Sequence, residues 1–317
     1  RMNRALVTGG AGFLGSHLAE RMLAAGNEVL VIDNYETGRR DNLAPTDGLE
    51  VVEGTIVDAD LVLGCFERFR PNVVAHAAAS YRDPENWFGD VDTNARGTVN
   101  VVRAAQAVDV DRLVYFQTAL CYGTTPLEQP ITLSHPIRPD SSYAISKTAG
   151  EQYIELSGLD FVSMRLANAY GPRNLSGPLP TFFHRLTEGK PCFVADTRRD
   201  FVFADDVVDA FEMALNGTGH GHYHLSSGTD QSIKEVFDAA LAALGIELDE
   251  PVEVRPRGED DAYSILLDPT RIQQDFGWTP KTTLQDGAAK AIEWYREHGI
   301  TQTYTHLAEK AMKQTTE

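Results

Sequence analysis

Residues 5–15 read Ala5-Leu6-Val7-Thr8-Gly9-Gly10-Ala11-Gly12-Phe13-Leu14-Gly15: a short apolar run, a glycine turn, and the start of an amphipathic segment. Gly9, Gly12 and Gly15 recur every three residues. The first allows a tight turn, the second lets the backbone approach a diphosphate, and the third lets a helix lie close to the strand before it. That helix would aim its free N–H groups at the phosphates. Its apolar positions run through Leu14, Leu18 and Met22 to Gly26, and the run Val29 to Ile32 then reads as a second buried strand ending in Asp33. Asp33 lies 18 residues beyond Gly15, where a carboxylate binds a ribose 2′-hydroxyl and repels a 2′-phosphate. The pattern predicts NAD; Arg39 and Arg40, close behind, are the residues that would favour NADP instead.

With 317 residues, 42% of them apolar and 23% charged, the chain has room for a full-sized domain and a smaller lobe. A formal charge of −18 argues against polyanionic partners, both nucleic acid and anionic membrane surfaces. An anionic substrate must then be held by locally placed arginines. Cys65, Cys121 and Cys192 are odd in number and scattered, which gives neither a disulfide framework nor a zinc set and fits a reducing cytoplasm. His220, His222 and His224 alternate as strand neighbours do and read as structural, so no metal is expected. The first strand begins almost at the start of the sequence, so no leader is expected, and no apolar run approaches membrane-spanning length. A cytoplasmic location is expected.

Further along, a strand near Val51-Val52, a helix near Leu61 to Phe69, a strand Val73 to His76, a helix Val91 to Val108 and a strand Leu113 to Phe116 follow in alternation. This order predicts an α/β fold with a doubly wound parallel sheet. Such sheets bind ligands at the C-terminal edges of their strands, here Ala77-Ala78-Ala79 and the stretch Gln117 to Gly123. A proline-rich loop, 126–139, leads to Asp140-Ser141-Ser142, which caps a helix carrying Tyr143 and Lys147 on one face. To act as a base at neutral pH the phenol, with a pKa near 10, must shift by about three units, or roughly 4 kcal/mol. An exposed lysine supplies about 1 kcal/mol or less. The pair therefore needs a drier site in which Lys147 and a cationic nicotinamide act together. Beyond Arg165 the alternation breaks. The expected organisation is a cofactor domain over 1–167, to which 196–226 returns, a smaller α/β substrate lobe from 168–195 and 227–300, and a tail over 301–317.

Thr8 to Gly15, Asp33-Asn34, His76-Ala77-Ala78, Asn94, Thr118 four residues before Tyr122-Gly123, and Tyr143-x-x-x-Lys147 together resemble the extended short-chain dehydrogenase/reductases, and among them the NDP-sugar epimerases and dehydratases. The likeness continues through Asn168 to Pro172, Arg199 to Val202, Arg257 to Asp260, and Phe276-Gly277-Trp278 to Trp294-Tyr295. It implies that Tyr143 is the base toward a sugar 4-hydroxyl, that Lys147 holds the nicotinamide ribose, and that Thr118 bonds the reacting oxygen. It also implies a Rossmann cradle for NAD made by Gly9, Gly12, Phe13, Leu14, Gly15, Asp33, Asn34, Thr55, Ile56, Ala77, Ala78 and Asn94 with Tyr143 and Lys147. Thr55 departs from the family, which often carries an Asp there toward the adenine amino group; Asp58 is the nearest substitute. On the substrate side Asn168, Leu179, Arg185, Arg199, Arg257, Asp260 and Ser264 would hold the nucleotide diphosphate and its sugar. The helices around Asn94 and Tyr143 to Tyr153 resemble the family's dimer surface, so a homodimer is expected.

Dehydratases that resemble this chain carry an Asp-Glu pair after the position of Thr118, for proton removal at C5 and elimination, and uronate decarboxylases carry a Glu. Here Ala119-Leu120 stands instead, and neither side chain does acid–base work. The resemblance then implies a UDP-sugar 4-epimerase that oxidises C4 transiently and reduces it again, regenerating NAD in each turn. A dehydratase or dehydrogenase with its acid elsewhere, and an NAD-dependent binding protein, are the alternatives. Ser264 occupies the position at which epimerases restricted to plain hexoses carry a tyrosine, leaving room for an acetamido group. Arg82, Arg173, Arg185 and Arg198 are candidate partners for a C6 carboxylate. A UDP-uronic acid or an N-acetylated UDP-hexose is expected in preference to UDP-glucose.

Overall fold

Apolar runs buried on both faces become parallel strands. The computed structural model describes residues 3–259, 261–300 and 303. Its first half forms β1 (Arg4–Thr8), β2 (Glu28–Asp33), β3 (Leu49–Glu53), β4 (Val73–His76), β5 (Arg112–Thr118) and β6 (Phe161–Leu166). Four short strands follow, β7 (Asn168–Tyr170), β8 (Phe193–Ala195), β9 (Arg198–Arg199) and β10 (Phe201–Phe203), before β11 (Gly221–Leu225) returns to the main sheet. That sheet is wholly parallel, in the order β11-β6-β5-β4-β1-β2-β3. Chain order reverses between β1 and β4, and the crevice beyond the C-terminal ends of those two strands is where such a sheet takes a ligand.

Helices cover both faces. On one, α1 (Phe13–Ala24) supplies Leu18 and Met22 to a core shared with Phe116 and Phe211. On the other, α2 (Ala59–Phe69) and a long helix over 87–107 pack Phe66 and Val101 against Leu6 and Tyr115. The long helix is α3 (Trp87–Asp90), a π-helical segment Val91–Arg96 and α4 (Gly97–Ala107), so it starts earlier than the Val91 expected from sequence. Against it lies α5 (Ser142–Leu156), whose cap Ser141 accepts the Ala144 N–H at 3.1 Å.

In the second half α6 (Pro178–Thr187), α7 (Ala204–Leu215), α8 (Ile233–Leu244), α9 (Thr270–Phe276) and α10 (Leu284–His298) appear. α7 packs on α1 beside the main sheet. α6, α8 and α10 enclose a separate core that includes Tyr170, Phe182, Phe237, Ile292 and Tyr295. Three two-stranded pairs flank it: β7 with β10, β9 with β12 (Gln231–Ser232), and β8 with β13 (Glu253–Arg255). Among the described residues no helix is long and apolar enough to cross a membrane, and no three His, Cys, Asp or Glu side chains are grouped to hold a metal.

Candidate active site

The glycine turn is a cradle that side chains would fill. Gly9 adopts φ +68°, and a Cβ there would sit 2.7 Å from the Ala78 amide nitrogen. A Cβ on Gly15 would collide with the Gly9 carbonyl, which is what brings α1 down onto the strand. Gly12 would meet only the Gly9 oxygen, at 3.2 Å, so its other side stays open to an approaching group. At the end of β2, Asp33 is buried and accepts the N–H groups of Ala11 at 2.9 Å and Tyr35 at 2.8 Å. Burial raises its pKa and the two amides oppose that rise. Both arginines that could serve a 2′-phosphate are paired elsewhere, Arg39 with Asp41 and Arg40 with Glu53. These residues fit NAD. The Asn34 side chain bonds the Glu36 amide, Phe13 and Leu14 open α1, and Ile56 is buried beneath the loop. Thr55 accepts the Val57 N–H, and Asp58, the expected substitute toward adenine, instead caps α2 through the Leu61 N–H.

Beneath the crevice runs a directional chain of hydrogen bonds that the sequence did not reveal. Thr98 Oγ1 donates to the Asn94 carbonyl at 2.7 Å, so it must accept from His76 Nε2–H at 2.8 Å. His76 Nδ1 then accepts from Thr8 Oγ1, which in turn accepts the Ala78 N–H. Burial, followed by the nearby Lys147 charge, pulls the His76 pKa down to about 3 and keeps this tautomer neutral. The Asn94 amide is buried and bonded to both backbone groups of Ser80 and to Ser146 Oγ. It ties the β4 edge to α5.

Thr118, at the end of β5, accepts the Leu120 N–H and caps the turn over Ala119–Tyr122. Tyr143 and Lys147 project from the first turns of α5. Protein groups alone move the phenol the wrong way for a base: burial, then Tyr81 and Asp90, push its pKa up. Lys147, 2% exposed, lies 4.2 Å from the Tyr115 ring centroid; burial lowers its pKa to about 7 and Glu151 opposes the drop. The Tyr115 hydroxyl donates to the Lys147 carbonyl at 2.7 Å, pinning α5 to β5.

Ala119, Cys121 and Tyr122 pack with Ile131, Ala262, Ile265 and Leu267, which carries the 262–267 segment to the turn capped by Thr118. Burial raises the Cys121 thiol to about 12, as suits a core residue. Arg199 braces the same segment through the Ala262 carbonyl and an ion pair with Asp261. Asn168 is exposed on β7, and exposed Arg257 lines a cleft with Asp196 and Glu259. Leu179 enters α6 between Pro178 and Pro180, which carry no N–H, so its amide is the donor that this first turn presents. Ser264 donates to Asp230 at 2.8 Å. Asp260 lies outside the described residues. Three of the candidate arginines have partners within the protein. Arg185 bonds the Pro191 carbonyl at the C-terminal end of α6, Arg173 bonds Ser16 and Glu20, and Arg198 pairs with Asp230.

Known proteins share this arrangement. The chain is 36% identical to a UDP-glucose 4-epimerase from Mycolicibacterium smegmatis over 92% of its length and 98% of the relative's. It is 51% identical to the Bordetella bronchiseptica enzyme WbmH, solved with NAD+, at a TM-score of 0.92, covering 95% of this chain and all of that one. WbmG of the same organism, solved with NAD and UDP, is 45% identical at a TM-score of 0.90, covering 97% and 99% of the two chains. Residues 5–225 match the model of the NAD dependent epimerase/dehydratase family, and the chain belongs to that family.

Proposed function

We propose that the protein interconverts C4 epimers of a UDP-linked sugar, using NAD held by Gly9, Gly12, Gly15 and Asp33. Bound NAD would supply the hydride acceptor and donor at C4. Thr118 and Tyr143 would hold the 4-oxygen, Tyr143 would remove and return its proton, and Lys147 would hold the ribose and favour the phenolate. Asn168, Leu179 N–H, Arg199 and Arg257 would hold the diphosphate firmly while the sugar turns.

The observation that carries this reading is the pair Ala119-Leu120 beside a complete Thr118, Tyr143 and Lys147 set. Asp90, the carboxyl whose charge reaches Tyr143, is 1% exposed and bonded to Ser80, so it is not presented to a sugar for elimination. The UDP bound by WbmG and the UDP-glucose 4-epimerase relatives support the nucleotide and the reaction. Small Ser264 favours an N-acetylated hexose; a uronate is the second choice, with Arg82, Arg173, Arg185 and Arg198 as the candidate cations for its carboxylate. The test is incubation with UDP-glucose, UDP-N-acetylglucosamine and UDP-glucuronate without added NAD. A C4 epimer of unchanged mass is expected, fastest with UDP-N-acetylglucosamine. A product lighter by one water would make the protein a dehydratase, stoichiometric NADH a dehydrogenase, and no turnover a binding protein.

A further inference from the structure

α5 carries Tyr143, Lys147 and Glu151 at successive four-residue intervals, so the three side chains share one face. Lys147 has no ion pair among the described residues, although it is almost wholly buried. Glu151, one turn further on, is equally buried. It is gripped from β6, where Arg165 reaches both its oxygens, Nη2 at 2.8 Å and Nε at 3.3 Å, and Ser163 Oγ donates at 2.5 Å. Arg165 is fixed in turn by Tyr122, whose hydroxyl bonds His224.

The geometry points to Glu151 as a positioning residue for the reaction: with Arg165 anchoring its carboxylate, its negative charge keeps the Lys147 ammonium protonated inside a dry site. This rests on the epimerase reading above. The groups facing Lys147 are Tyr143 and Glu151 on its own helix, His76 on β4 and Tyr115 on β5. His76 is held neutral by burial and Tyr115 is an uncharged ring, so Glu151 supplies the compensating charge. Facing Glu151 are Arg165 on β6 and His222 on β11, 3.8 Å away, which also approaches Glu155. Burial works against the Glu151 carboxylate, but Arg165 and its other partners outweigh it and hold its pKa below the usual range. Burial pulls Lys147 toward neutral pH and Glu151 pushes it back, so losing that charge shifts lysine deprotonation to lower pH.

Glu151→Gln alone strands the Arg165 charge and risks unfolding. Glu151→Gln with Arg165→Gln removes both charges together. In this double variant, with NAD bound, the alkaline limb of kcat against pH should move down by about one unit. Tyrosinate absorbance, with Tyr143→Phe as the blank, should report a higher Tyr143 pKa. Glu151→Asp, which keeps the charge, should bring both readouts back toward the parent. If the pair is only a structural brace, the folded double variant will keep the parent's pH limb and tyrosinate titration, and the proposal is overturned. The tyrosinate titration needs no sugar turnover, so it stands apart from the outcome of the substrate test.

Discussion

Asp33 and Tyr143 respond to burial in the same direction and use it differently. Asp33 is compensated by two backbone amides aimed at its oxygens, which leaves it an acceptor at the end of β2. Tyr143 moves up as well. Burial, Tyr81 and Asp90 all raise its pKa, and on the proposed reading Lys147 and a bound cationic ring would together bring the phenolate within reach. The resting group is therefore the protonated phenol. Tyr143→Phe should lower kcat by about 10²–10⁴-fold with little change in nucleotide binding. Stopped-assay rates beside a calorimetric UDP titration would check this, and a near-normal rate would remove Tyr143 from the chemistry.

Among the elements, the glycine turn and the π-helical segment do complementary work. The turn brings α1 against β1 closely enough that a methyl group at Gly15 has no place beside the Gly9 carbonyl. Gly15→Ala should weaken NAD binding at least about tenfold, equivalent to about 1.4 kcal/mol, because the backbone that faces the diphosphate must move. Gly26→Ala is the control. Gly26 has φ +85° and open space around it, so this change should cost about 1 kcal/mol of stability and leave NAD affinity unchanged. Equal NAD affinity in both variants would contradict the cradle. The π-helical segment Val91–Arg96 carries Asn94, which clamps Ser80 and Ser146 and so ties the β4 edge to the helix bearing Tyr143.

For the whole molecule, the long helix over 87–107 and α5 leave an apolar surface uncovered. Phe88 is 87% exposed and Leu156 80%, with Trp87, Val91, Ile145 and Tyr153 also exposed on the same two helices. We propose that a second copy covers this face. Phe88→Asp combined with Leu156→Asp should yield a monomer by light scattering at micromolar concentration with bound NAD retained; a parent protein that is already monomeric would refute the dimer. Much of the molecule was legible because the signals are local. Strand and helix periods, the Gly9-Gly12-Gly15 turn, Asp33 at a strand end and the four-residue step from Tyr143 to Lys147 depend on neighbours a few residues away. The arginines were not legible in this way. Arg173 meets Glu20 across 153 positions, and Arg198 meets Asp230 across 32, so only folding decides whether such a long side chain faces a ligand or an acid of its own chain. The same holds for His76 between Thr8 and Thr98 and for Glu151 beneath Arg165. By itself the sequence determined a parallel α/β sheet with a dinucleotide turn and a tyrosine–lysine helix, because short-range sterics and periodicity encode them. The tertiary structure alone decided which charges are compensated, because desolvation and ion pairing depend on groups that the fold brings together from distant parts of the chain.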